Sequence, residues 1–325
     1  MKAKAEAGDA KAQLQLGAAY EDGNGVHQND EQAVNWYHKA AEQGDAEAQN
    51  DLGIMYSLGR GVEKSKVEAT KWYKRAALQR YPKAMFNMGT AYYNGDGVPV
   101  DDTTAYAWFL LAQEAGSQPA ADAVKRAESE MRRFQKVEAF SKIGEMYEKG
   151  EDLRQDYVEA AKWYRKAAEA GDAPARVRLA GILVQDRSGT GGYEEARHWC
   201  EQAAKQNYSP GAYCVGLLYE RGLGVPTDMG QAAKWYSRAA DMGHAFALLR
   251  LGEMYWKGTG GKADKVAAYT FVLLASTADL PDAERDKTLL EKEMDSKQVQ
   301  KALQKAVEWT RNHPLLGLRK KTPSN

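Results

Sequence analysis

Apolar and small residues recur along this chain at helical rather than strand-like spacing. Leu16, Gly17 and Tyr20 share one face of a predicted helix, and Ala33, Trp36, Tyr37, Ala40 and Ala41 share one face of a second. The pair then returns every 36 residues: Trp36, Trp72 and Trp108, then Trp163, Trp199 and Trp235, with Phe271 one period further on. A fixed period in this range marks stacked supersecondary units, each burying its apolar face on the next. With the phase set at Gly8, seven repeats begin at Gly8, Gly44, Arg80, Gln135, Gly171, Asn207 and Gly243, interrupted once, for 19 residues, from Gly116 to Phe134.

Each unit reads as two antiparallel helices. The first is capped by an aspartate (Asp9, Asp45, Asp172) whose carboxylate can accept from a free amide of the first turn. Its glycine (Gly17, Gly53, Gly89, Gly144, Gly216, Gly252) permits close approach of the partner helix, and it ends at a Gly-x-Gly turn such as Gly23-Asn24-Gly25. The second helix, capped by Asp30, Asp102 or Asp228, carries the Trp and a paired alanine on its buried side. Repeat five departs furthest, with Ala180 at the glycine slot and the loop Asp186 to Gly192 in place of the usual turn.

The run Gly8-Asp9-Ala10 through Leu16-Gly17, Tyr20, Gly23-Asn24-Gly25-Val26, Ala33, Trp36-Tyr37 and Lys39-Ala40-Ala41 resembles the Sel1-like repeat, a relative of the tetratricopeptide repeat. The resemblance covers about four fifths of the chain. It implies an all-α fold, a right-handed superhelical α/α solenoid of seven repeats with a C-terminal capping helix. It further implies a non-catalytic scaffold or adaptor that binds a protein or peptide on its concave surface. The alternative it carries is an envelope-associated protein that binds or hydrolyses a cell-wall or β-lactam type ligand.

The predicted organisation is residues 1–7 as the end of a preceding helix, 8–115 as repeats one to three, and 116–134 as a helical spacer running directly into repeat four. Residues 135–278 then form repeats four to seven, 279–311 the capping helices, and 312–325 a disordered basic tail. Repeats three and seven share a variant second helix, Ala105 to Ala112 and Ala268 to Ala275, and each is followed by a charged non-repeat segment. An old terminus at the spacer, now a candidate bend, accounts for this duplication. The closing segment, Asp282 to Arg311, carries an apolar stripe that includes Leu290, Met294 and Val299, with Trp309 pinning its end.

Composition narrows the function. Lys+Arg and Asp+Glu both total 45, giving zero formal charge, so nucleic acid is excluded as an expected partner. Apolar runs as short as Phe109 to Ala112 predict no membrane span. The chain reads as cytoplasmic as given, or periplasmic or secreted if a leader has been removed. No nucleophile elbow, Ser-x-x-Lys, His-Glu-x-x-His or phosphate loop occurs, and the five histidines fall at unrelated repeat positions. No catalytic residue, cofactor or metal is predicted. Cys200 and Cys214 are expected to be free thiols, because relatives with one disulfide per unit use a shorter, recurring spacing.

Eight tryptophans and eighteen tyrosines against six phenylalanines call for an accounting; six Trp belong to the repeat, and Trp256 does not. By analogy with tetratricopeptide units the first helices line the concave side, where most slots are small or charged. Large rings break that pattern at Phe86, Tyr93, Tyr213, Phe246 and Trp256, flanked by Asn94, Arg221 and Lys257. These eight form the candidate partner site, since Trp, Tyr and Arg tend to dominate interface energies. Tyr93 and Trp256, each one residue beyond a core-slot tyrosine (Tyr92, Tyr255), are expected to be exposed, and Phe86 and Phe246 to pack into the core.

Overall fold

A computed structural model of the chain describes residues 1–186 and 192–313, and every regular element in them is helical. The repeat-five loop at 187–191 and the basic stretch from 314 lie outside the described residues. Repeat one is α2 (Ala10–Asp22) and α3 (Asp30–Glu42), preceded by α1 (Lys2–Glu6). Repeat two is α4 (Ala46–Leu58) and α5 (Lys66–Ala77), and repeat three is α6 (Pro82–Asn94) and α7 (Asp102–Glu114). After α8 (Gln118–Glu130), repeat four is α9 (Arg133–Lys149) and α10 (Tyr157–Glu169). Repeat five is α11 (Ala173–Val184) and α12 (Tyr193–Lys205), and repeat six is α13 (Ser209–Arg221) and α14 (Met229–Asp241). Repeat seven is α15 (Ala245–Lys257) and α16 (Lys265–Ser276), followed by α17 (Pro281–Glu293) and α18 (Ser296–Asn312). By its contacts the chain forms two compact units, residues 1–167 and 168–325, dividing within α10.

The helices start and stop for local reasons. Asp9, Asp45 and Asp172 accept from the amides of Ala12, Ala48 and Ala175 at 2.7, 2.8 and 2.6 Å, contacts of about 1 kcal/mol each. On the second helices the caps are Asn29 and Asp101, one residue before the expected Asp30 and Asp102, because Asn29 and Asp101 hold extended backbone while their successors are already in the first turn. Asp228 caps α14 as expected. First helices end on left-handed glycines, for instance Gly23 at φ 71° and Gly95 at φ 75°.

In five of the seven repeats the decisive contact is a ring on a glycine; repeat seven sets Val272 on Gly252, and repeat five has Ala180 and Cys200 at these slots. A methyl group at Gly17, Gly53 or Gly216 would lie 2.6 Å from the ring of Tyr37, Tyr73 or Tyr236, well inside van der Waals contact. Between repeats, the second glycine of the turn meets the preceding unit: a methyl at Gly61, φ 65°, would collide with the Asp30 carbonyl. The tryptophans fill the remaining space, with Trp108 and Trp163 fully buried and Trp72 packed against Tyr37, Leu52 and Met55. Polar side chains tie the helix corners: Gln49 donates to the Ala41 carbonyl at 3.0 Å, and Gln79 donates to Gln49 Oε1 at 2.9 Å.

Two further expectations are corrected. The spacer does not run straight into repeat four: Met131 is extended (ψ 140°), separating α8 from α9, and Gln135 Oε1 accepts from the Arg132 amide at 3.0 Å to restart the helix. Cys200 and Cys214 are not free thiols but a disulfide, with Cα atoms 5.8 Å apart. The bridge joins α12 to α13 across a repeat boundary, where stacking brings two slots together that no within-repeat spacing would reveal.

Replacing Gly61 with Ala should cost about 2 to 4 kcal/mol, from left-handed strain plus the collision. Gly25→Ala, the same slot with nothing within 4 Å, should cost only about 1 kcal/mol. Urea unfolding of the two variants measures the difference, and equal losses would refute the inter-repeat contact. Removing the 14-residue bridge with a Cys200→Ala/Cys214→Ala double variant should cost about 2 to 3 kcal/mol by the same measurement.

Candidate functional site

The candidate residues divide between the two units: Phe86, Tyr93 and Asn94 belong to the first, and Tyr213, Arg221, Phe246, Trp256 and Lys257 to the second. Asn94, Arg221 and Lys257 end α6, α13 and α15 and are exposed.

In the first unit, Tyr93 is 58% exposed on α6, and Phe86 is half-buried with its ring 5.5 Å from that of Phe109. Both line an open cavity of about 710 Å³ between α6, α7, α8 and the start of α9, with Tyr106, Phe109, Asp102, Arg126 and Glu130 around it. Phe86 also walls a second recess of about 520 Å³, formed with Asn50, Ile54, Tyr81, Asn87 and Pro119. Beside that recess Asn87 donates to the buried Asn50 at 2.9 Å, and Asn50 donates to Asp51 at 3.1 Å. Burial pushes the Asp51 carboxyl up to about 6, with Glu47 and Glu21 adding to the rise and the Asn50 bond opposing it.

In the second unit the exposure of two rings is the reverse of that expected. Phe246 is 52% exposed, because it sits in the first turn of α15 at the slot that Lys11, Glu47 and Lys83 fill elsewhere. Trp256 is half-buried: its Nε1 donates to Glu293 of α17 at 3.3 Å, and its ring packs on the core beneath the closing helices. Tyr255, expected in the core, is 38% exposed and stacks on Phe271 at 5.6 Å. Tyr213 stacks on His244 at 4.5 Å, with the Phe246 ring 6.3 Å away. Behind them Glu220 accepts from both the Tyr236 hydroxyl and Arg250, and Arg250 also donates to Glu253 at 2.6 Å.

Tyr93 and Trp256 occupy one repeat slot, and the structure shows what that slot normally does. In repeats one and four its acid accepts the buried tyrosine hydroxyl of the second helix: Tyr37 to Glu21 and Tyr164 to Glu148, both at 2.7 Å. Burial first, and then this bond, push the Tyr37 hydroxyl well above the usual phenol range. Repeats three and seven have Phe109 and Val272 opposite, with no hydroxyl to satisfy, so an aromatic can stand there instead. Of the residues missed from sequence, Tyr106 and Phe109 lie on α7, and Arg126 and Glu130 lie on α8, which the repeat period does not cover.

Among the described residues no three His, Cys, Asp or Glu side chains gather as metal ligands, and no helix is long and apolar enough to cross a membrane. These stacked helical hairpins define an α/α solenoid repeat protein. Sel1 repeat models match residues 10–45, 46–81, 82–117, 138–172, 174–208, 209–244 and 245–280, and the chain belongs to the Sel1 repeat family. Proteins of this family generally mediate protein–protein interaction and are generally non-catalytic. A protective antigen present in uropathogenic Escherichia coli strains is 26% identical over 99% of this chain and 88% of that one, with a TM-score of 0.39. A Sel1 repeat protein from Oxalobacter formigenes is 29% identical over 88% of this chain and 77% of that one, with a TM-score of 0.44. A comparison with curated proteins returns no match.

His244 offers a direct check on the second-unit cluster. Burial pushes its imidazole down to about 4, and its Nδ1 accepts from the Ala247 amide at 3.3 Å, which requires the neutral ring. The unfolded chain takes up a proton that the folded one refuses, so His244 favours folding above pH about 6.5 and loses up to about 3 kcal/mol as pH falls to about 4. An imidazole NMR titration with a midpoint near the ordinary value would disprove this burial; His244→Asn, which can still cap α15, should flatten the acid limb of the stability curve.

Proposed function

We propose that this chain is a non-catalytic adaptor that holds a protein or peptide partner through the rings on its first helices. Phe86, Tyr93 and Asn94 serve in the first unit, and Tyr213, Phe246, Trp256, Arg221 and Lys257 in the second. The observation that carries this reading is Tyr93, a large ring left 58% exposed at the mouth of an aromatic-walled cavity. An exposed aromatic beside a pocket is the usual anatomy of an interface anchor. The Cys200–Cys214 bridge supports work in an oxidising compartment such as a cell envelope or the extracellular space.

Affinity capture from the source cells, with wild-type chain against variants, tests the reading. Tyr93→Ala should leave stability within about 0.5 kcal/mol and weaken capture of the major partner at least about tenfold. Trp256→Ala should weaken capture as well, but it should also cost about 2 kcal/mol of stability, because half of the ring and its bond to Glu293 are structural. Capture unchanged by both variants would refute the assignment.

A further inference from the structure

A constant offset of 163 residues relates two stretches of the chain: α6, α7, α8 and α9 begin at Pro82, Asp102, Gln118 and Arg133, and α15, α16, α17 and α18 at Ala245, Lys265, Pro281 and Ser296. In each set the second helix of the repeat packs on both helices that follow it. An equivalent bond recurs, Tyr106 to Glu128 at 3.4 Å and Tyr269 to Glu291 at 2.5 Å. The later set therefore shows the earlier one's cavity with its place taken. Leu290, fully buried, stands where the earlier set has Ala127, and Trp256 stands where it has Tyr93. Glu293 receives the Trp256 indole N–H at 3.3 Å and the Lys265 ammonium at 3.0 Å.

At the equivalent Glu130 both donors have changed. Tyr93 replaces the indole, and Asp102 replaces the lysine, putting a second carboxylate on the wall. Among the described residues neither Asp102 nor Glu130 has a side-chain partner, whereas Glu293 has two. Arg126 stands where the later set has Leu289, so the lining keeps a net negative charge. A cavity of about 710 Å³ is within the range of ligand sites, and this one mixes aromatic and alanine walls with polar groups, two of them carboxylates.

We infer that this cavity is a peptide side-chain site for a segment that presents a leucine-sized aliphatic residue beside Lys or Arg. The aliphatic group packs on Phe86, Phe109 and Ala127, filling the space that Leu290 fills in the later set. The cation meets Asp102 and Glu130, as Lys265 meets Glu293. The inference rests on the adaptor reading and specifies the chemistry of its partner.

The test is an NMR titration of the full chain with acetyl-Leu-Lys-amide, using acetyl-Leu-Glu-amide and acetyl-Gly-Lys-amide as controls. The first peptide should shift the amides of Phe109 and Ala127 and saturate in the millimolar range, with each control at least about tenfold weaker. Ala127→Leu, copying Leu290, should abolish binding. Asp102→Lys, an exposed change that copies Lys265 and leaves the fold intact, should weaken the Leu-Lys peptide at least about tenfold. No shift with any peptide, equal binding of the Glu peptide, or indifference to Asp102→Lys would overturn the inference. Partner capture that is weakened by Tyr93→Ala yet unmoved by Asp102→Lys and Ala127→Leu would overturn it while leaving the adaptor reading standing.

Discussion

The rest of this structure depends on an aromatic ring lying on a bare glycine. A methyl group at Gly17, Gly53, Gly89 or Gly144 would come within 2.5 to 2.7 Å of the facing ring, so any side chain there would drive the two helices of the hairpin apart. The contact fixes interhelix spacing, and it also commits the neighbouring chemistry. A tyrosine pressed so close has its hydroxyl shut away from water, and a buried hydroxyl needs an acceptor. Glu21, Glu148 and Glu220 are those acceptors. Where the ring is Phe109, or is replaced by Val272, the demand disappears and the acceptor slot is released. Tyr93 and Trp256 stand in two of the three slots released this way, the third being Val184 opposite Cys200, so the most specialised surface residues follow from the core contact one helix away.

Much of this was legible in the sequence, because a 36-residue clock repeats each local signal many times. The helix pairs, the aspartate caps of the first helices and the glycine terminations all follow from residues at one phase. What escaped was whatever links one unit to the next or lies off the clock. The Cys200–Cys214 bridge joins slots in different repeats, so the spacing within a unit carries no trace of it. Trp256 is expected to be exposed because it lies one residue beyond the repeat's core tyrosine slot; its cover comes from Glu293 on α17, 37 residues on. Phe246 is expected to pack on the neighbouring repeat or under the closing helix, although its slot holds Lys11, Glu47 and Lys83 in other repeats. There the repeat pattern was the better guide than the residue.

The 163-residue offset equals four periods plus the 19-residue interruption, so it is no multiple of 36 and shows in sequence only through the shared variant helices of repeats three and seven. Yet it explains more of the surface than the short period does. The short period produces interchangeable hairpins with small or charged residues outward. The long one duplicates a hairpin with two following helices, and divergence between the copies leaves one interior filled by Leu290 and the other open at Ala127. Distinctive surface in a regular solenoid arises where the regularity is broken.

The same comparison shows how a closing helix can also serve as a continuing one. α9 packs on α7 as α18 packs on α16, yet α9 is also the first helix of repeat four. The difference resides at one slot. Gly144 of α9 lies bare beneath the Tyr164 ring, where a methyl would approach to 2.7 Å, and so accepts the next second helix. The equivalent residue of α18 is Val307, 52% exposed, whose branched side chain occupies the space that such a ring would need. A ring cannot lie on Val307 as Tyr164 lies on Gly144, so α18 lacks the contact by which α9 takes its second helix.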